Sequence, residues 1–230
     1  MISVCIPTYN GSKYIGEQLK SILSQLSEND EVIISDDSST DDTIKIIKEL
    51  NDTRIIIYDN NSFKSPIYNL ENALKHSRGD YIFLADQDDV WEDCKVEKVM
   101  KQFNIYDCIV TDATVVDKDL NVITDSFFVQ NNSKKGLFHN VIKNGYLGCC
   151  MAFNRKILEK SLPFPSKLPM HDSWIGFVAE KYGKVLFLDE KLLKYRRHGE
   201  NASQTSEKSK RSFISKISDR VHLVFYLILR

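Results

Sequence analysis

The 230 residues carry a formal net charge of −1, with 42% apolar and 27% charged side chains, the balance of a globular chain long enough for one full core. Such a balance gives no overall attraction for nucleic acid, and no run reaches the roughly 20 apolar residues that cross a bilayer. Ten basic against three acidic residues over 191–230 leave that tail as the one segment suited to a polyanionic partner. Cys5, Cys94, Cys108, Cys149 and Cys150 are odd in number and lack C-x-x-C spacing, so neither a zinc knuckle nor a disulfide framework is expected and a reducing cytoplasm is. The opening residues Met1 to Pro7 lack the basic and long apolar regions of a signal peptide.

In chain order, the apolar run Ile2 to Pro7 predicts a buried strand. Ile15, Leu19, Ile22, Leu23 and Leu26 follow at helical spacing, with Asn10 or Ser12 as the cap. Glu31 to Ser35 predicts a second strand. Ser39 to Asp42 has the spacing of a capping box and opens a helix through Ile44, Ile47 and Leu50. Arg54 to Tyr58 reads as a strand, Tyr68 to Ser77 as a helix stopped by Gly79, and Tyr81 to Ala85 as a fourth strand. This rhythm predicts right-handed crossovers and a mainly parallel sheet. Beyond Trp91 it loosens: strands at Cys108 to Thr111, Asn121 to Thr124, Gly148 to Phe153, Val185 to Leu188 and Leu192 to Arg196, helices at Phe138 to Lys143 and Asp172 to Tyr182, and a polar loop at Gln130 to Gly136. Phe213, Ile214, Ile217, Val221, Val224, Phe225 and Ile228 share one side of a terminal helix, with Lys208, Lys210, Arg211, Lys216 and Arg220 before or opposite them. A basic amphipathic helix either lies on an anionic membrane surface or packs on protein.

Ligands of open parallel sheets bind beyond the carboxyl ends of the strands, and three such ends are polar here: Pro7-Thr8-Tyr9-Asn10, Asp36-Asp37-Ser38-Ser39 and Asp86-Gln87-Asp88-Asp89. Three carboxylates in four positions repel one another unless a cation compensates them. An Asp-x-Asp pair suits a hard divalent ion, which can in turn hold a diphosphate. Neither a dinucleotide glycine fingerprint nor a P-loop is present to do this otherwise. Asp172, in Met170-His171-Asp172-Ser173-Trp174, is either a helix cap or a general base. His198 is a surface residue, a metal ligand or a phosphate contact, and Arg196 and Arg197 have forked donors suited to diphosphate oxygens. Trp91 and Trp174 either stack on sugar faces or pack helices.

These segments, together with Tyr195-Arg196-Arg197-His198-Gly199-Glu200-Asn201, resemble in residue type and order the family-2 glycosyltransferases of GT-A fold, in the branch whose strand end reads D-Q-D-D-x-W; the likeness spans about Ile2 to Ser203. The resemblance implies an α/β nucleotide-binding sandwich with a mainly parallel central sheet flanked by helices, and an inverting, metal-dependent enzyme with Mn²⁺ or Mg²⁺. It implies that Pro7, Thr8, Tyr9 and Asn10 border the base and ribose, that Asp37 meets the pyrimidine ring, and that Asp86 approaches ribose and metal. Asp88 would be the chief metal ligand with His198 joining, Asp172 the catalytic base, and Asp89 a contact of the acceptor sugar. The implied partners are a nucleotide-sugar donor (a UDP-hexose or dTDP-rhamnose), a glycan or lipid-linked acceptor of surface polysaccharide synthesis such as O-antigen or capsule, and a membrane surface met through residues 206–230 on the cytoplasmic side. Nucleic acid is not among them. The expected division is a nucleotide-binding half (1–91) and an acceptor-binding half (92–203), followed by a basic amphipathic segment (204–230). Where the family writes Asp-Asp-Gly-Ser this chain has Ser38 in the glycine position, a change that puts little in doubt provided the turn is not strongly left-handed. The rival readings are a sugar-nucleotide-binding protein without activity, a phospho-receiver domain and a nucleotidyltransferase. The last two lack their expected lysine and glycine-rich loop.

Overall fold

A computed structural model describes residues 1–166, 168–199 and 213–229, the last with side chains from residue 218 onward. Among the described residues nine strands form one sheet in the order β3-β2-β1-β4-β8-β6-β9-β5, with β7 added on β6. The first four are β1 (Ile2–Thr8), β2 (Glu31–Asp36), β3 (Ile55–Tyr58) and β4 (Tyr81–Leu84), all parallel. Between them run α1 (Ile15–Leu23), α2 (Thr43–Glu49) and α3 (Pro66–His76). Val4, Cys5, Ile6, Val32, Ile33, Ile34, Ile82 and Phe83 are fully buried, which is why these strands read as unbroken apolar runs: crossover helices cover both faces. Ile15, Leu19 and Ile22 form the buried stripe of α1. Asp42, not Ser39, is the cap residue of α2, and its side chain makes no cap hydrogen bond.

Register fixes the geography of the rim. Thr8 lies opposite Asp36, and Cys5 opposite Leu84. The polar segments after β1, β2 and β4 therefore emerge side by side.

The remainder mixes directions. The strands are β5 (Val90–Trp91), β6 (Cys108–Val116), β7 (Val122–Thr124), β8 (Met151–Asn154) and β9 (Val185–Arg196). β8 runs antiparallel to both β4 and β6, β9 is parallel to β6, and β5 and β7 are antiparallel ribbons on β9 and β6. The parallel part of the sheet is thus β3 to β4 and the β6–β9 pair. The two strands predicted at 185–188 and 192–196 are one strand, because a register shift opposite Thr111 and Asp112 absorbs Asp189 and Glu190 as a bulge. Gly148–Cys150 is a 3-10 turn, and the strand begins only at Met151. The helices of this part are α4 (Lys95–Gln102), α5 (Phe127–Asn131), α6 (Leu137–Ile142), α7 (Arg155–Ser161), α8 (His171–Tyr182) and α9 (Phe213–Leu229). Of these α4, α5 and α7 are absent from the sequence reading.

On α9, Leu223 and Leu227 are buried, while Val221, Phe225, Ile228 and Leu229 are exposed. Lys208, Lys210 and Arg211, and the side chains of Phe213, Ile214, Lys216 and Ile217, lie outside the described residues. No helix among the described residues is long and apolar enough to cross a membrane.

Candidate active site

The rim is built from hydrogen bonds between its own loops. The buried Thr8 hydroxyl donates to Asp36 Oδ2 (2.7 Å), and the same carboxylate accepts the Ser39 amide (2.8 Å) and hydroxyl (2.6 Å). Asp36, a residue the sequence reading gave no separate role, thereby ties the first strand end to the second. Tyr9 donates its amide to Gln87 Oε1 (2.9 Å), and Gln87 Nε2 donates back to the Tyr9 carbonyl (3.0 Å), so the first loop is clamped to the D-Q-D-D loop as well. Gly11 makes this clamp possible, since a Cβ there would sit 2.4 Å from Gln87 Oε1. The Tyr9 ring remains exposed beside the clamp. Asn10 adopts a left-handed φ of 46° and accepts the Thr40 amide at 2.8 Å, a conformation asparagine tolerates. Asp37 accepts the amides of Phe63 (2.6 Å) and Ser65 (3.3 Å), so its carboxylate is fixed from the side of the following loop.

Ser38 corrects one expectation. Its φ is 60°, the left-handed geometry in which glycine is at ease and serine is not. The Ser38 hydroxyl offsets part of this by donating to the Asn61 carbonyl (2.5 Å).

The carboxylates converge past the end of β4. Asp89 is fully buried; its Oδ1 accepts the Arg196 amide (2.9 Å), and its Oδ2 has no hydrogen-bond partner among the described residues. Burial, then the charges of Asp88 and Asp86, hold its pKa well above the carboxylate range. Asp86 is pushed up to about 7 by burial first, then by Asp88 and Asp172. His198 Nε2 lies 2.8 Å from Asp88 Oδ2 across 110 residues of sequence, and its ring rests 4.9 Å from that of Tyr14. Ligand atoms of Asp86, Asp89 and Cys149 also lie within 4.8 Å of one another. Carboxylates held this close, one with an unpartnered buried oxygen, are a donor set with too little positive charge inside it. That close cluster is two carboxylates and a thiol; with Asp88 and the His198 imidazole next to it, the donors are mostly oxygen and fit a hard divalent cation such as Mn²⁺ or Mg²⁺.

Asp172 stands in the first turn of α8, where Met170 occupies the cap position. The cap alternative is therefore set aside: the Asp172 carboxylate accepts the amide of the adjacent Ser173 (2.6 Å) and Asn144 Nδ2 (3.2 Å). Its charge bears on Asp86, which brings the α8 carboxylate and the β4 carboxylates into one field. The neighbouring His171 is buried, and burial lowers its pKa, so it stands as neutral imidazole at physiological pH.

Three expectations fall away on burial. Trp174 is fully enclosed and donates Nε1–H to the Ser161 carbonyl (2.8 Å). Trp91 is likewise buried, tilted against Phe83. Neither ring offers a face to a sugar; packing is their role. Arg196, 3% exposed, spends its fork inside the protein: Nε donates to the Asp88 carbonyl (2.7 Å), Nη1 to the Lys118 carbonyl (2.8 Å) and Nη2 to Glu17, with Tyr14 stacked 4.6 Å away. It holds the D-Q-D-D loop instead of reaching for a diphosphate. Arg197 is half-buried and donates to the Tyr195 hydroxyl (3.0 Å). Gln87, Asn144, Glu17 and Lys95 are the neighbours that sequence reasoning missed. Only Lys95 left a signal: it lies four positions before Val99 on what is otherwise an apolar helix face.

Comparison with known proteins gives the family and the fold. The model of the glycosyl transferase family 2 matches residues 3–162. An uncharacterized glycosyltransferase of Nostoc sp. is 28% identical over 92% of this chain and 70% of its own length. An Escherichia coli protein, UDP-Glc:alpha-D-GlcNAc-diphosphoundecaprenol beta-1,3-glucosyltransferase WfaP, is 43% identical over 42% of this chain and 38% of its own. Among solved structures, S. aureus TarS 1-349 in complex with UDP-GlcNAc superposes with a TM-score of 0.75 at 19% identity, over 97% of this chain and 66% of that one. The mannosyltransferase PcManGT from Pyrobaculum calidifontis, in complex with GDP-Man and Mn²⁺, gives 0.66 at 18% identity, over 100% of this chain and 64% of that one. The chain thus spans just under two thirds of these structural neighbours. At such identities the likeness establishes the fold, which is the GT-A fold.

Proposed function

The chain belongs to glycosyl transferase family 2, and on that premise we propose that it is an inverting, metal-dependent transferase. It moves a sugar from a nucleoside diphosphate donor, a UDP-hexose or dTDP-rhamnose, to a hydroxyl of a glycan or lipid-linked acceptor in surface polysaccharide synthesis. The observation that carries this reading is the convergence of three separate parts of the chain: Asp86 and Asp88 after β4, His198 after β9 and Asp172 at the head of α8.

Pro7, Thr8, Tyr9 and Asn10 would border the nucleoside, with Asp37 toward the base. Asp86, Asp88 and His198 would hold Mn²⁺ or Mg²⁺, which when bound supplies Lewis-acid neutralisation of the diphosphate. Asp172 would accept the proton of the acceptor hydroxyl as its oxygen bonds to the anomeric carbon. The bond from that carbon to the donor phosphate oxygen breaks on the opposite face, and its electron pair leaves with the nucleoside diphosphate. One displacement inverts configuration and requires no second catalytic carboxylate. The Ser173 amide and Asn144 fix the Asp172 carboxylate for this task. Asp89, fully buried, would brace the loop more than touch the acceptor. The exposed apolar residues of α9, with Phe138 and Ile142 of α6, support a peripheral seat on the cytoplasmic side of a membrane through residues 206–230.

Calorimetric titration of UDP and dTDP, with and without Mn²⁺, tests the reading. Metal-dependent binding of one nucleotide, lost in Asp88→Ala, is the expected result. No binding of either nucleotide under any condition removes the proposed UDP or dTDP donor site and refutes the reading.

A further inference from the structure

Leu137 and Val141 of α6 pack against the core, while Phe138 and Ile142, one turn apart, stand in solvent at 88% and 58% exposure. The loop that carries them is braced from within. Asn140, fully buried, donates Nδ2–H to the Lys134 (2.8 Å) and Gly136 (2.9 Å) carbonyls, and its Oδ1 accepts the Gly145 amide (2.7 Å). Glu180 of α8 accepts the Gly136 amide (2.5 Å), and Arg220 of α9 donates to the Ile142 carbonyl (2.6 Å). A single exposed apolar residue is ordinary. A pair on one helix face, joined through Arg220 to a helix whose Val221 and Phe225 are also exposed, marks an interaction surface. The charge around it has one sign. From Ser126 to Leu158 the chain has no acidic residue, and exposed Lys134, Lys135 and Lys143 flank Phe138 and Ile142. Apolar tips among ammonium groups fit an acyl layer beneath anionic headgroups.

We propose that the loop 132–145 is a membrane-insertion element in its own right, seating Phe138 and Ile142 in the headgroup–acyl boundary of an anionic bilayer with Lys134, Lys135 and Lys143 against its phosphates. The seat proposed above for residues 206–230 thereby becomes one of two, tied together by Arg220. Two contacts far apart in sequence fix an orientation, which one helix lying on a surface does not. Asn144, two residues past Ile142, donates to Asp172 Oδ2 (3.2 Å). The head of α8 therefore adjoins the seated loop, and an acceptor hydroxyl would reach Asp172 from the lipid side. Only this last step rests on the transferase reading; insertion does not, and the two fail separately.

The experiment is co-sedimentation of the full chain with vesicles of phosphatidylcholine alone and of phosphatidylcholine with phosphatidylglycerol. Wild type is expected to bind the anionic vesicles and to bind the neutral ones far more weakly. Phe138→Glu should weaken anionic binding about tenfold, with the urea midpoint unchanged because the ring is exposed. Lys134→Gln and Lys135→Gln together should weaken it about 25-fold. In Phe138→Trp the added indole should shift to the blue on anionic vesicles and be quenched by lipids brominated on their acyl chains, since Trp91 and Trp174 are enclosed. Phe138→Glu binding as wild type does, with the added indole unquenched, overturns the proposal and leaves α9 as the contact. Equal binding to both kinds of vesicle overturns it through its charge argument. A face that serves a second copy would show as a dimer dissociated by Phe138→Glu without vesicle binding, which also overturns it. UDP titration separates the two readings: nucleotide binding without vesicle binding refutes this inference alone, and vesicle binding without nucleotide binding refutes the donor site alone.

Discussion

Arg196→Lys separates an internal clamp from a ligand-binding arginine. Among the described residues the guanidinium donates to main-chain carbonyls at Asp88 and Lys118 and to Glu17. Hydrogen bonds involving a charged partner contribute about 1.5–3 kcal/mol each. Glu17 is half-exposed, so its pair is discounted to at most about 1 kcal/mol. A lysine keeps the charge and reaches one of the two carbonyls at best, leaving the other unpaired beside the Tyr14 ring. The expected loss of stability is about 2–3 kcal/mol, a large share of the roughly 5–15 kcal/mol available to a domain. Urea unfolding of the nucleotide-free protein measures it, read as a change in midpoint at constant slope. UDP affinity should fall as well, as a consequence of the loosened Asp88 loop. Unfolding stability within about 0.5 kcal/mol of wild type, with UDP affinity alone reduced, would show that Arg196 serves the ligand and that the clamp reasoning is wrong.

Other consequences are equally direct. Gly176→Ala drives a Cβ to 2.4–2.6 Å from ring atoms of the buried Tyr146, so a loss of about 2–3 kcal/mol and a fall in Tm of roughly 5–10 °C are expected by calorimetric scan. Burial works to raise the pKa of Glu31, but hydrogen bonds from Ser3 and from the Arg78 amide and side chain outweigh it and hold the pKa below its ordinary value of 4.5. Its contribution is therefore complete above that value and lost as pH falls through the folded one. The stability gap between wild type and Glu31→Gln should close only below about pH 4.5 in urea midpoints; a gap already closing near neutrality contradicts the assignment. Phe225→Glu places a charge in the exposed apolar face of α9 and should reduce co-sedimentation with anionic vesicles severalfold; unchanged co-sedimentation would move the membrane contact elsewhere.

The first half of the fold was legible because strands covered on both faces are written as apolar runs, and each of those runs ends in a polar segment where the rim begins. Register then does what sequence spacing cannot, setting Thr8 against Asp36 and bringing both beside the D-Q-D-D loop. The second half was harder for identifiable reasons. β9 looked like two strands because Asp189 and Glu190 resemble a turn when they are a bulge. Lys95 in the buried face of α4 broke the apolar pattern that would have announced that helix. For Arg196 the residue type suggested a diphosphate partner, yet a guanidinium serves carbonyls as readily, and only coordinates tell which surrounds it. Trp91 and Trp174 posed the same choice between ligand and core, and burial decides it. Ser38 shows the converse, a substitution that looked neutral until its φ was known.

The link between Asp88 and His198, with the Arg196 amide on Asp89, spans more than 100 residues. During synthesis the first four parallel strands can assemble early, since each contacts its neighbours through short crossovers. Gln87 can be clamped to Tyr9 at that stage, but Asp88 and Asp89 lack their His198 and Arg196 partners until β9 has left the ribosome. A nascent or truncated chain that stops before Arg196 would carry a formed nucleoside rim and an acidic loop held at Gln87 alone, with Asp89 lacking its amide partner. Completion of the site is thereby tied to the synthesis of β9, and that strand separates a folded fragment from a competent one.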